Sequence, residues 1–276
     1  MKTQSEEPAF HFISGLPRSG STLLAALLKQ NPRFHAGMTS PVGGIFLALL
    51  EAMSDRLETS LFLDNDARQR ILRGLVANYF ATSNARVIFD TNRLWCSKLP
   101  ALHLLFPQAK LIACVRDTNW IIDSFERLIR RNALQPSGIF NFTAGGTVYS
   151  RASGLASSDG LVGFAYDALR EAFYGEQAQS MLLVQYDTLA NNPRKALAAV
   201  YDFIGEPWFE HDFENIVFDE GDACDERLGT PGLHAVGRKV RAAPRGTILP
   251  QDLFQRFAGD GFWKEPGNNP RGVRIV

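Results

Sequence analysis

The chain has 276 residues, 45% of them hydrophobic and 21% charged, an ordinary globular composition with material for a sizeable core. Lys and Arg number 29 against 29 Asp and Glu, so the net charge is zero and bulk charge gives no reason to expect nucleic acid or an acidic membrane surface as a partner. No run of about 18 apolar residues is present to span a bilayer, residues 1–8 are polar and acidic, and the three cysteines, Cys96, Cys114 and Cys224, are few and far apart; the expectation is a soluble cytoplasmic protein with reduced thiols and no metal site.

In chain order, Phe10 to Ile13 reads as a short strand rich in aromatic and β-branched residues, followed by a glycine-bounded turn and a strong helix former from Leu23 to Gln30. Helical patterns follow near Gly44 to Ser54 and Asp66 to Ala81, then a buried strand at Val87 to Phe89 ending at Asp90. A helix from about Ser97 to Phe106 is stopped by Pro107, Lys110 to Val115 is a third strand, and an amphipathic helix leaves it from Trp120 to Arg131. Residues 135–160 are rich in Gly, Ser and Thr and read as a mobile loop or lid. Met181 to Val184 is the fourth strand and Pro193 to Ile204 the next helix, with Gly205 and Pro207 ending it. Alternation of strands and helices predicts an α/β fold of P-loop type, three layers with a central parallel sheet flanked by helices. One domain over 1–276 is expected, with 1–8 flexible and 209–276 an irregular covering segment.

The chemistry-bearing stretch is Gly15-Leu16-Pro17-Arg18-Ser19-Gly20-Ser21-Thr22. Its spacing is G-x-x-x-x-G-x-[ST], a phosphate-cradling loop from which only the usual lysine is missing. Strand, glycine turn and helix in that order aim backbone N–H groups and a positive helix end at one spot. Ser21 cannot replace the lysine that reaches the outer phosphates of a triphosphate, whereas Arg18 offers planar, bidentate charge from another direction. The ligand read from this loop is anionic and nucleotide-like but not ATP. Arg116 at the end of the third strand, with Ser124 eight residues on, is positioned to clamp a second phosphate. In an open parallel sheet, ligands lie beyond the carboxyl ends of the strands, so the Gly15 loop, the turn from Asp90 to Arg93 and the turn at Arg116-Asp117 are expected to converge.

Taken together, these residues resemble the sulfotransferases that use 3′-phosphoadenosine 5′-phosphosulfate, in particular the group similar to the tyrosylprotein enzymes. Pro17, Arg18, Ser19, Gly20, Ser21 and Thr22 resemble that family's 5′-phosphosulfate loop, and Arg116 with Ser124 its 3′-phosphate site. Val184-Gln185-Tyr186-Asp187-Thr188-Leu189, Asn192-Pro193-Arg194 and Phe203-Ile204-Gly205-Glu206-Pro207-Trp208 are similar to its later elements. The resemblance implies transfer of a sulfuryl group to a hydroxyl on a peptide, sugar or small metabolite, without a metal, and a segment holding Arg238 and Lys239 that folds back over the nucleotide. Tyr186 is then expected at the nucleotide, Trp120 is the best candidate to stack on adenine, and Lys98 is a candidate second cation at the leaving oxygen. A P-loop kinase, kept in view by Asp117, or a catalytically silent nucleotide binder is the alternative, and a homodimer is left open.

The expected general base is absent. Where the tyrosylprotein enzymes carry acidic residues after the first helix, this chain reads Gly37-Met38-Thr39-Ser40-Pro41-Val42. Asp90, at a strand end, is the candidate that takes its place, with His35 and His234 as alternatives.

Overall fold

In the computed structural model, described for residues 7–135, 137, 146–218, 222–241, 246–265 and 267–276, one six-stranded sheet forms the centre. Its strands are β1 (Ala9–Gly15), β2 (Phe34–Ala36), β3 (Val87–Thr91), β4 (Leu111–Val115), β5 (Met181–Gln185) and β6 (Arg274–Ile275), in the spatial order β2-β3-β1-β4-β5-β6 and all parallel. The helices are α1 (Ser21–Leu28), α2 (Val42–Ala52), α3 (Asn65–Tyr79), α4 (Leu99–Leu105), α5 (Thr118–Arg131), α6 (Val148–Ala156), α7 (Leu161–Tyr174), α8 (Tyr186–Asn191), α9 (Pro193–Ile204), α10 (Asp222–Arg227) and α11 (Gln251–Arg256). The expected α/β fold with a parallel sheet is the one observed.

Buried parallel strands read as continuous apolar runs because both faces are covered. Successive side chains alternate between faces, so Phe12 joins one core with Phe46, Trp95, Phe125 and Phe173, while Ile13 joins the other with Leu24, Leu27, Phe89 and Tyr201. β1 lies between β3 and β4, pairing Phe12 with Asp90 and with Leu111. This places the end of β1, and the loop after it, beside the ends of both neighbours.

Three expectations are corrected. Residues 135–160 are not loop throughout: α6 occupies Val148–Ala156, capped by reciprocal hydrogen bonds between Thr147 and Ser150, while 136 and 138–145 lie outside the described residues. The segment after 208 is not simply irregular, since it supplies α10, α11 and the edge strand β6, which joins through Gln185 N–H to the Val276 carbonyl at 2.8 Å. The helix expected from Ser97 is preceded by a 3₁₀ turn over Arg93–Lys98, and α4 itself starts at Leu99. Of the N-terminal stretch 1–8, residues 1–6 lie outside the described residues. No helix among the described residues is long and apolar enough to cross a membrane.

Candidate nucleotide and acceptor site

The loop after β1 is built by two glycines. Gly15 has φ +102° and lies so close to the Cys114 backbone that a side chain would strike its carbonyl; Leu16 N–H then donates to that carbonyl at 2.9 Å. Gly20, at φ +92°, is the residue from which α1 starts, and a methyl group there would press on Leu189 and Tyr186 at 3.1 Å. Only glycine satisfies both demands. The first N–H groups of α1 have no acceptor within the helix, and Ser21, Thr22 and Leu23 all line a cavity of about 470 Å³ in front of them. Ser19 is fully buried within the loop, its hydroxyl donating to the Pro17 carbonyl at 3.3 Å.

Between the glycines Arg18 takes φ +57°, the one non-glycine left-handed residue among those described. From there its Nε donates to Ser124 Oγ at 3.1 Å and a terminal nitrogen to the Leu233 carbonyl. Arg116, just past β4, stacks its guanidinium 4.0 Å from the Tyr186 ring and donates to the Arg18 carbonyl at 3.4 Å. Pro17, Arg18, Gly20, Ser21, Thr22, Arg116, Ser124 and Tyr186 thus line one cavity. Trp120 instead packs edge-on against Phe254 of α11, with centroids 5.0 Å apart, and is not on the cavity wall. Asp117 pairs with Lys264 at 2.5 Å and also stays off the wall.

The tail closes the cavity from the opposite side. Ile216 N–H donates to the Arg238 carbonyl at 2.7 Å and Val240 N–H to the Phe213 carbonyl at 3.0 Å, holding Leu233 to Arg241 over the opening. Lys239 lines the cavity while pairing with Glu214 at 2.6 Å, which raises its pKa above the ordinary lysine value. Arg238 is exposed and does not line it. His234 does: its Nδ1 lies 2.5 Å from Oδ1 of the fully buried Asp225, whose other oxygen accepts the His234 backbone N–H at 2.7 Å.

The end of β3 brings a cation that the sequence analysis did not single out. Ser14 Oγ donates to the Arg93 carbonyl at 3.1 Å and accepts Cys96 N–H at 3.2 Å, and Asn92 Oδ1 caps the turn by accepting Leu94 N–H at 3.0 Å. These bonds seat Arg93 against the cavity, surrounded by protein yet open to solvent, and desolvation lowers its pKa from the usual arginine value. Among the described residues its side chain has no hydrogen-bond or ion-pair partner. The signal was its place in the turn after a strand. Arg93, Asn92 and Leu161 also line a second cavity, of about 400 Å³, next to the first.

Lys98, five residues further on, lines neither cavity. Asp90 is buried in the core, accepting the Trp95 indole N–H at 3.0 Å, and lines neither cavity. The residue after it, Thr91, is the one that reaches the wall, because strand side chains alternate. His35 is exposed on β2 against Phe80. Of the three groups considered for the acceptor's proton, only His234 stands on the cavity.

A parallel α/β sheet whose glycine loop, helix start and four arginines, Arg18, Arg93, Arg116 and Arg241, meet on one cavity is an α/β fold of P-loop type. The sulfotransferase family model matches residues 11–210, and the chain belongs to that family. It is 27% identical over 206 residues to protein-tyrosine sulfotransferase 1 of Danio rerio, covering 71% of this chain and 53% of that one. It is 23% identical over 238 residues to protein-tyrosine sulfotransferase 2 of Gallus gallus, covering 83% and 57%. The chain therefore spans little more than half the length of these relatives. The fold is shared with the solved sulfotransferase domain from the curacin biosynthetic pathway, at TM-score 0.54 and 16% identity over 92% of this chain and 97% of that one.

Proposed function

We propose that this chain binds 3′-phosphoadenosine 5′-phosphosulfate in the larger cavity and passes its sulfuryl group to a hydroxyl acceptor. The observation that carries the reading is the meeting of Arg18, Arg116, Ser124 and the α1 N-terminus on one cavity, with serine at position 21. The loop backbone, Ser21 and Thr22 suit the 5′ side; Arg116 and Ser124 suit a 3′-phosphate, with Tyr186 backing Arg116. Lys239 and the Leu233 to Arg241 segment would cover the nucleotide.

When bound, the donor supplies a sulfuryl group: its S–O bond to phosphate breaks with the electron pair left on the phosphate oxygen, and a new S–O bond forms to the acceptor oxygen as the hydroxyl proton departs. Arg18 and the loop N–H groups offset charge on the leaving oxygen. Arg93, set between the two cavities, takes the role of second cation for which Lys98 was the candidate. His234, its Nδ1 engaged by Asp225, turns Nε2 to the proton. Such catalysis is mainly positioning and electrostatics.

The test is calorimetric titration with adenosine 3′,5′-bisphosphate beside ATP with magnesium. Micromolar binding of the bisphosphate and little of ATP is expected; the reverse preference overturns the reading.

A further inference from the structure

We infer that the 400 Å³ cavity is the acceptor subsite and that it selects a hydroxyl carried on a small, neutral, apolar body rather than an acidic peptide; the assignment rests on the sulfotransferase reading above. Continuity is the first argument. Asn92, Arg93 and Leu161 belong to both cavities, so a molecule in the smaller one would meet the larger one at Arg93.

The wall chemistry is the second. Leu47 of α2, Leu161 and Phe164 of α7, and Leu94 supply much of the lining. Leu47 and Phe164 remain 41% and 40% exposed, apolar surface that the fold leaves to water and an apolar ligand would cover. The size lies within the range of small-molecule pockets.

Two adjacent glycines of α2 point the same way. Gly43 is required by packing, since a methyl group there would meet the Asn92 amide at 2.5 Å. Gly44 has no such reason, because a methyl group there would have nothing within 4 Å. Glycine is a poorer helix former than alanine. Gly44 lines the cavity, and the space it leaves open is space for a ligand.

Charge is the fourth. The described wall carries one carboxylate, Asp159, exposed and without an ion-pair partner among the described residues, and its one cation, Arg93, is shared with the donor cavity. A carboxylate on the acceptor would therefore face Asp159 with no cation of its own.

The experiment measures sulfate transfer to a series of straight-chain alcohols of increasing length, to phenols, to the same bodies bearing a carboxylate, and to a tyrosine peptide flanked by acidic residues. Wild type, Gly44→Ala and Gly44→Leu are compared, with bisphosphate affinity measured on each. Expected are a kcat/KM that rises about three- to fourfold per added CH₂ until the cavity fills, at least a tenfold loss on adding a carboxylate, and a KM for the best alcohol raised about tenfold in Gly44→Leu. Gly44→Ala, which adds one methyl group in open space, should raise KM only for the longest alcohols. Bisphosphate affinity should stay within twofold throughout. Preference for the acidic peptide, no turnover of any neutral alcohol, or an unchanged KM in Gly44→Leu, each with bisphosphate still bound, overturns the acceptor assignment alone. Failure of wild type to bind bisphosphate overturns the sulfotransferase reading and this assignment with it.

Discussion

Arg18 Nε donates to Ser124 Oγ at 3.1 Å, joining the loop after β1 to a helix residue 106 positions later. The glycine loop and the helix carrying Ser124, read separately in the sequence, are therefore one arrangement, in which Arg18 has a left-handed backbone. A side-chain-bearing residue in that region costs roughly 1–2 kcal/mol.

Substitutions at Arg18 separate its two properties. Arg18→Ala and Arg18→Gly should both lose transfer and bind bisphosphate at least tenfold more weakly. Arg18→Gly should be the more stable of the two by about 1 kcal/mol, because only alanine keeps the left-handed penalty. Ser124→Ala should weaken binding of the 3′-phosphorylated nucleotide about tenfold while sparing adenosine 5′-phosphosulfate. A transfer assay reads the activity, calorimetry the affinities and thermal melts the stabilities; equal stability of the two Arg18 variants, or equal affinity losses for both nucleotides, would refute the respective claim.

Arg93 and Lys98 make opposed predictions. Arg93 lines both cavities and Lys98 neither, so Arg93→Ala should lower kcat about a hundredfold or more, the scale on which one charge-stabilising donor acts. Bisphosphate affinity should change little, Arg93→Lys should recover part of the rate, and Lys98→Ala should stay within about twofold of wild type. Steady-state kinetics on the three variants decides it, and a larger loss at Lys98 would return the second cation to that position.

How much was legible follows from where each signal sits in the chain. The loop and its strand and helix are encoded within about twenty consecutive residues, so glycine spacing and hydrophobic runs were enough. β2 and β6 have three and two residues, too few for any period to show; they exist because β3 and β5 offer open edges. α7 carried a readable pattern in Leu161, Val162, Ala165, Ala168, Leu169 and Ala172, obscured by the Gly- and Ser-rich stretch before it. The strand-end position points to Asp90, but which face a strand-end side chain takes depends on register, and Thr91 is the residue that lines the cavity. The Asp225–His234 pair depends on the path of the tail, which has no local signature.

Asp90 itself makes the stability of the fold depend on pH. Burial pushes its pKa up from 3.8 to about 6, with the Trp95 indole hydrogen bond to Oδ2 holding the rise back. Between those values the folded protein keeps a proton that the unfolded chain has released. Its contribution to stability is complete below pH 3.8 and is lost as pH rises through 6, amounting to about 3 kcal/mol by pH 8. Asp90→Asn keeps an acceptor for the Trp95 indole and carries no charge to bury. It should therefore melt several degrees above wild type at pH 8, and that advantage should vanish by pH 4. Burial lowers His11 and His211 to about 4, so both destabilise the fold as pH falls from 6.5 through 4, but they do so equally in the two proteins and cancel in the difference. Since Asp90 is off the cavity wall, kcat of the variant should stay within about twofold. A variant that melts lower at pH 8 would contradict the buried-carboxylate account, and one that folds normally yet loses its rate would restore Asp90 as the base.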